Sequence, residues 1–194
     1  MFSLPFIRRE TPELEGDKVR LRMPQAGDYR EWAELRAISR GFLEPWEPRW
    51  MPDEFERSAW RLRINHYRRD YAQGAAMAFF MYERGHGRLV GGITLGNIRH
   101  GVSKSAQIGY WIGQPYAGQG LMTDAVKTLS RFAFGELTLH RIEAACIPEN
   151  SRSIRVLEKA GFRREGLLRS YLRINGVWQD HYLYARIADD PPVA

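Results

Sequence analysis

The chain has 194 residues, 44% of them hydrophobic and 12% aromatic, the composition of an ordinary globular domain and short for two of them. No apolar run approaches the roughly 20 residues of a membrane span, and the single cysteine, Cys146, excludes an internal disulfide and suits a reducing cytoplasm. The 29 Lys and Arg against 23 Asp and Glu give a net charge of +6, which favours an anionic ligand or partner without choosing one.

At the start, MFSLPFIRRE places its arginine pair after a short apolar stretch with Pro5, the reverse of a secretory signal. Residues 18–23, KVRLRM, alternate polar and apolar and predict a half-buried strand. Asp28 opens a helix in which Trp32, Leu35 and Ile38 share a face, ending near Gly41. The segment FLEPWEPRWMP carries three prolines and two tryptophans and predicts an ordered surface loop. Asp53 with Glu56 reads as a capping pair for a second helix, with Trp60, Ile64, Tyr67 and Tyr71 at helical spacing until Gly74. Arg61, Arg63, Arg68 and Arg69 lie on that helix, where solvation explains them. No zinc-finger spacing or RNA-binding signature accompanies them, so no sequence-specific nucleic acid is expected. Residues 76–83 and 88–98 predict strands joined by the turn from Gly85 to Gly87, and a third strand over 105–113 completes an antiparallel meander.

Residues 107–125, QIGYWIGQPYAGQGLMTDA, say most about the chain: an extended strand, a glycine-paired turn, then a helix start. Gly118 and Gly120 let a ligand approach the backbone, and the helix start adds unpaired NH groups and the positive end of its dipole. The expected guest is a phosphate or pyrophosphate. No G-x-x-x-x-G-K-[ST] occurs, and Thr123 stands where a dinucleotide fingerprint has its third glycine, so neither an NTPase nor a Rossmann enzyme fits. Leu121, Ala125, Leu129 and Phe132 then share a helical face. A buried strand, HRIEAACI, precedes a helix over 151–159 stopped by Gly161, and Asn175-Gly176 marks a hairpin with strands over 167–174 and 177–187. This order predicts an α+β fold with a mixed sheet, not a doubly wound one, as a single domain over 1–194 with a core of about 18–188.

Three of these stretches, in this order, resemble the GNAT superfamily of acetyl-CoA-dependent N-acetyltransferases. IGYWIGQPYAGQGLMTDA looks like the acyl-CoA strand and pyrophosphate loop, NSRSIRVLEKAGF is similar to the later strand-to-helix segment, and INGVWQDHYLYA to the closing hairpin. Within the superfamily the chain looks like the RimJ and RimL branch, which acetylates the N-terminal amine of ribosomal proteins, and more like RimJ, with FLEPWEP and RINGVWQDH as the specific points. The resemblance implies a mostly antiparallel central sheet with helices on both faces and acetyl-CoA as cosubstrate, without a metal. It also implies a cytoplasmic ribosomal protein beginning with Ala or Ser as acceptor. It assigns Tyr110, Trp111 and Ile112 to the pantetheine arm and carbonyl oxygen, and Tyr116, Ala117, Gly118, Gln119, Gly120, Leu121 and Met122 to the pyrophosphate. The family pattern has Arg or Gln three residues before the first glycine; here Pro115 stands there, with Gln114 one earlier, which removes a side-chain contact but not the backbone cradle.

In such enzymes the amine attacks the thioester directly, so no nucleophilic side chain is required, and Cys146 in EAACI reads as a buried structural thiol. Asn150 and Ser153 either cap the helix over 151–159 or, as the resemblance implies, contact the pantetheine or an ordered water (Asn150) and lie near the thiol (Ser153). Some relatives place a tyrosine acid eight residues after this asparagine; Glu158 stands there instead. Roughly a tenth of a free α-amine is already neutral at pH 7, against well under about one in a thousand lysine side chains, so a weak base or a water chain suffices. Glu44 and Glu47 in the tryptophan-rich loop and Asp180 or His181 in the hairpin are candidate bases or ammonium binders. Asp180 leads, because it alternates with Trp178 and Tyr182 on one strand face. Trp46 and Trp50 either wall that slot or anchor the loop. His66, His86, His100, His140 and His181 show no metal-ligand spacing. A small amine acceptor, such as an amino sugar antibiotic or polyamine, and a noncatalytic ribosome-binding module are the competing readings, and the oligomeric state is left open.

Overall fold

The structure, a computed structural model, describes residues 11–191, so the reading of the amino-terminal ten residues as unlike a secretory signal lies outside them. Eight strands and five helices follow in the order β1 (Leu14–Glu15), β2 (Val19–Arg22), α1 (Tyr29–Ile38), α2 (Arg40–Leu43), α3 (Arg57–Ala72), β3 (Met77–Glu83), β4 (Leu89–Arg99), β5 (Ser105–Ile112), α4 (Leu121–Gly135), β6 (Arg141–Cys146), α5 (Ser151–Lys159), β7 (Arg163–Ile174) and β8 (Val177–Ile187). They form one sheet in the order β1-β2-β3-β4-β5-β6-β8-β7, antiparallel at every junction except β5 with β6. The expected meander and closing hairpin are both present, the first hairpin arm starting at Arg163 instead of 167.

The side-chain alternation of β3 shows how the layers assemble. Phe79 and Met81 join the core under α4 and α5, where Leu121, Ala125, Leu129 and Phe132 are buried, while Phe80 and Tyr82 point the other way onto Trp32 of α1 and Trp60 and Ile64 of α3. Helices therefore cover both faces, as the family resemblance implies. Trp32 and Trp60 stack with ring centroids 4.7 Å apart and tie α1 to α3.

Three expectations about the amino-terminal half need correcting. Ile38 is 64% exposed; α1 turns Arg36 inward instead, and Ser39 just beyond it, because both find polar partners there, the Glu47 carboxylate and the Gln114 NH. Asp53 and Glu56 do not cap α3: Glu56 is the cap residue without a side-chain bond, and its NH donates to the Asp53 carbonyl at 2.8 Å in a preceding turn. The tryptophan-rich segment is partly regular, containing α2 and a 3₁₀ turn at Glu44–Trp46, with Pro45 in its first turn, where its missing NH costs nothing.

Candidate active site

The parallel pair β5 and β6 stays together only from Ser105 opposite Arg141 to Ile108 opposite Ala144. Beyond that, β5 remains on β4 as far as Ile112 opposite Gly91, while β6 follows β8 to Cys146 opposite Tyr182. The two strands part, and Pro148, unable to donate to a ladder, follows two residues after the end of β6. Peptide groups of residues 109–112 that would have met β6 are left without a strand partner, which a buried sheet tolerates only beside water or a ligand. A cavity of about 920 Å³ fills the split, with Gly109, Tyr110, Trp111 and Ile112 on one wall and Ala145, Cys146 and Ile147 on the other.

One end of the cavity is the glycine-paired turn. A 3₁₀ turn at Gln114–Tyr116 is pinned by the Gln114 NH donating to Ser39 Oγ at 2.9 Å. Gly118 (φ +79°) and Gly120 (φ +80°) then both take the left-handed region, which costs other residues about 1–2 kcal/mol each. Gly120 is the cap residue of α4 and supplies no side chain to its first NH groups, so these and the turn form a concave run of backbone donors. Ala117, Gly118, Gly120, Leu121 and Met122 line the cavity, as does Gln114. Tyr116 and Gln119 do not: Tyr116 packs against both cores, and the Gln119 side chain turns back to the Pro115 carbonyl at 3.0 Å. Lys18 donates to the Gln119 carbonyl at 3.3 Å and adds a positive charge beside the turn.

At the middle of the split, Tyr110 and Ser153 share a hydrogen bond of 2.8 Å between their hydroxyls, bridging β5 to α5. Asn150 caps α5 by accepting the Ser153 NH at 3.1 Å, and it also lines the cavity, so its two readings are compatible. Burial pushes the Tyr110 phenol well above its ordinary range, against a smaller opposing effect of the Ser153 hydrogen bond. Burial likewise raises the Cys146 thiol. At neutral pH both stay protonated: Tyr110 and Ser153 form an uncharged hydroxyl pair, and Cys146 is the buried thiol expected of it. The Glu158 carboxylate accepts the Tyr184 hydroxyl at 3.2 Å and does not line the cavity.

Two sequence candidates, Glu47, which lines the cavity, and Glu44, already have partners. Both Glu47 oxygens bind the Arg36 guanidinium at 2.7 Å, and Oε2 also accepts the Trp50 indole NH at 2.7 Å. Arg36 itself lies over the Trp50 and Trp111 rings, 4.2 and 5.0 Å from their centroids. The Glu47 carbonyl accepts the Asn175 NH at 2.9 Å. Glu47 is thus a clamp between α1, the tryptophan-rich segment and the β7–β8 turn, not a free base; Trp50 is the anchor, and Trp46 walls the cavity. Glu44 pairs with Arg40. Glu47→Gln leaves the largely buried guanidinium facing a neutral amide that accepts on one atom only. The variant is expected to lose about 2 kcal/mol of stability, a fall of about 4–8 °C in Tm; an unchanged melting curve would show that the clamp carries no stability.

Asp180 also departs from its expected role. Its Oδ1 accepts the Ser170 NH at 2.7 Å, where β7 bulges between Leu168 and Leu172 and Ser170 adopts φ +45°. Asp180 is exposed and braces this bulge outside the cavity, and Trp178, sharing its face, is 62% exposed. The next residue, His181, is only 3% exposed and does line the cavity. Sequence reading also missed a basic stripe: Arg152, Arg155 and Lys159, at helical spacing on α5, border the same cavity.

A mixed sheet split between its parallel strands, with a glycine-paired helix start at the split, is an acyl-transferase architecture. The chain belongs to the GNAT acetyltransferases: the family model described as "Acetyltransferase (GNAT) domain" matches residues 18–163. Over 177 residues it is 36% identical to a probable N-acetyltransferase, YjcK, of Bacillus subtilis, covering 91% of this chain and 98% of that one. Over 188 residues it is 32% identical to the [ribosomal protein uS5]-alanine N-acetyltransferase of Escherichia coli, covering 97% and 94%. Its structure resembles Mycobacterium smegmatis RimJ in complex with CoA-disulfide, with a TM-score of 0.85 and 35% identity, covering 92% of this chain and 87% of that one.

Proposed function

We propose that this acetyltransferase uses acetyl-CoA to acetylate the N-terminal α-amine of a ribosomal protein beginning with Ala or Ser, in the cytoplasm and as one domain. The observation that carries the reading is the split between β5 and β6, a cavity lined by the glycine-paired turn and also by Trp46, Leu172 and Ile174. The acceptor class is supported by the likeness to a uS5-alanine N-acetyltransferase over nearly the whole chain.

Acetyl-CoA supplies an acyl carbon already activated as a thioester. The donors at Gly118, Gly120 and the start of α4 suit its pyrophosphate, with Lys18, Arg155 and Lys159 adding positive charge. The peptide groups of Tyr110 and Ile112, which face away from β4 toward the split, suit the pantetheine amides and the acyl oxygen, while those of Trp111 turn back onto β4, and Asn150 flanks the split. In this reading the protonated Tyr110–Ser153 pair gives a proton to the departing thiolate. Orientation and polarisation carry most of the acceleration, since a positioned amine needs no covalent intermediate.

Short peptides beginning with Ala, Ser or Met test this, alongside N-terminally blocked peptides that contain lysine, with coenzyme A thiol release and product mass as readouts. Acetylation confined to free Ala or Ser termini is expected. Lysine acetylation would move the acceptor elsewhere, and turnover of small amines alone would overturn the ribosomal reading.

A further inference from the structure

We propose that His181 is the base that takes the proton from the acceptor's ammonium group, its Nε2 being the accepting atom; this rests on the α-amine reading above. Three observations carry it. On β8, Tyr182 and Tyr184 belong to the core under α4 and α5, so strand alternation turns His181 to the opposite face. It lines the cavity, as do Trp46 and Glu47 of the tryptophan-rich segment. The register places it one residue beyond Tyr182, the partner of Cys146 at the last position of β6, so no β6 residue stands between it and the opening.

The ring's tautomer follows from its bonds. His181 Nδ1 is 2.9 Å from the Gln179 carbonyl oxygen, which can only accept, so Nδ1 carries the hydrogen in the neutral ring. Nε2 therefore presents its lone pair. The Tyr171 ring packs against the imidazole in a T-shaped contact, centroids 5.8 Å apart, and helps fix its orientation. A ring that lines the cavity and has its Nδ1 hydrogen committed to a carbonyl leaves Nε2 as the accepting atom a general base requires.

The step balances without a co-reactant. Nε2 removes one proton from the ammonium, leaving a neutral amine and an imidazolium. The amine lone pair forms the N–C bond to the acyl carbon, and the C–S bond breaks with its pair on sulfur. The nitrogen's surplus proton passes to the thiolate through the Tyr110–Ser153 hydroxyls, and the imidazolium returns its proton to solvent.

Other groups around His181 are accounted for. Tyr171 of β7 meets the ring in a T-shaped contact. From the loop, Glu47 is held by Arg36; from β6 and β5, Cys146 and Tyr110 are raised by burial and stay protonated. Asp180 faces Ser170 on the other side of the strand. Arg173 of β7 and Arg152, Arg155 and Lys159 of α5, which border the cavity, are cations and do not accept the proton.

His181→Asn retains an NH for the Gln179 carbonyl but no lone pair at the Nε2 position, whereas His181→Gln places an amide there. Both are expected to lower kcat/KM on an Ala-starting peptide about 100-fold at pH 7, with coenzyme A affinity and Tm close to wild type. In both, the acid limb of the kcat/KM profile should move up toward the α-amine's own value of about 7.8. Rates within threefold and an unshifted profile would overturn the proposal. Nitrogen-15 NMR of the His181 ring in the wild-type protein decides independently of any acceptor: Nδ1 protonated and Nε2 bare in the neutral form is expected, and the opposite tautomer overturns it. A wild-type protein inactive on all peptides but with the expected tautomer would count against the acceptor alone.

Discussion

Replacing Gly120 by valine is expected to raise the Kd for coenzyme A about 100-fold while the protein stays folded. Gly120 adopts φ +80° and ψ 0°, a conformation that a β-branched residue reaches only with strain of about 1–2 kcal/mol. The chain at this exposed turn can relieve that strain by rotating out of it. Relief in this way misaligns the NH groups of residues 120–122, each of which contributes about 1.5–3 kcal/mol when it donates to a charged oxygen. Losing one or two such bonds reaches the 2.7 kcal/mol that 100-fold represents. A Cβ at this position would lie 3.2 Å from Lys18 Nζ, the end of a flexible side chain that can move, so the effect is on the cradle and not on packing. Gly101→Val is the control: φ there is +74°, a Cβ meets nothing within 4 Å, and the turn lies outside the cavity. Titration calorimetry of both variants should show weakened binding for Gly120→Val only. Equal affinities would remove the glycine-paired turn from the coenzyme site.

Features encoded locally were legible in the sequence, and those made by distant partners were not. The glycine pair, the asparagine before α5 and the Asn175-Gly176 hairpin each announce themselves within four residues, because φ sign, capping and tight turns are local properties. Glu47 and Asp180 look alike as exposed acids in aromatic surroundings. Their commitments lie with Arg36, eleven residues away, and with a bulge NH ten residues away across a hairpin, and no periodicity shows either. The split between β5 and β6 is a register property of strands about 36 residues apart, hinted at only by Pro148. Ile38 is exposed for a related reason: its spacing from Trp32 and Leu35 suits a core face, but the buried row of α1 runs through Trp32, Leu35, Arg36 and Ser39, with Arg36 held there by a half-buried carboxylate. The basic stripe Arg152, Arg155 and Lys159 could have been found from spacing alone; what distinguishes it from a solvated helix face is the cavity it borders.

Asp124 illustrates the same limit with the largest expected consequence for stability. In the sequence it is an acid in the first turn of a helix, where the dipole welcomes it. In the structure it is 7% exposed, and its carboxylate accepts three successive backbone NH groups from the other end of the chain: Asp17 at 3.2 Å, Lys18 at 2.8 Å and Val19 at 3.1 Å. The turn between β1 and β2 is thereby fastened onto α4, the helix that begins at the glycine-paired turn. The fit is close, since a Cβ on Gly16 would come within 2.4 Å of the Asp124 Oδ2 and 2.6 Å of the Thr128 Oγ1. Asp124→Asn keeps the size but presents an NH₂ group to one or more donors. The Val19 NH, the most deeply buried of the three, then either loses its acceptor or forces the turn to move, while the other two NH groups can be partly hydrated. An unsatisfied buried donor costs about 1–3 kcal/mol, and the loss of charge from the remaining bonds adds to it. A total of about 3–4 kcal/mol corresponds to a Tm lower by about 6–16 °C for a chain of this size. Gly16→Ala should reproduce part of the loss from the other side of the contact. Because Asp124 does not line the cavity, coenzyme A affinity measured well below the transition should stay within threefold of wild type. A melting temperature within 1 °C of wild type would mean that the three hydrogen bonds are replaced by water at no cost. A selective loss of affinity would mean that the clamp acts on the glycine-paired turn more than on the fold.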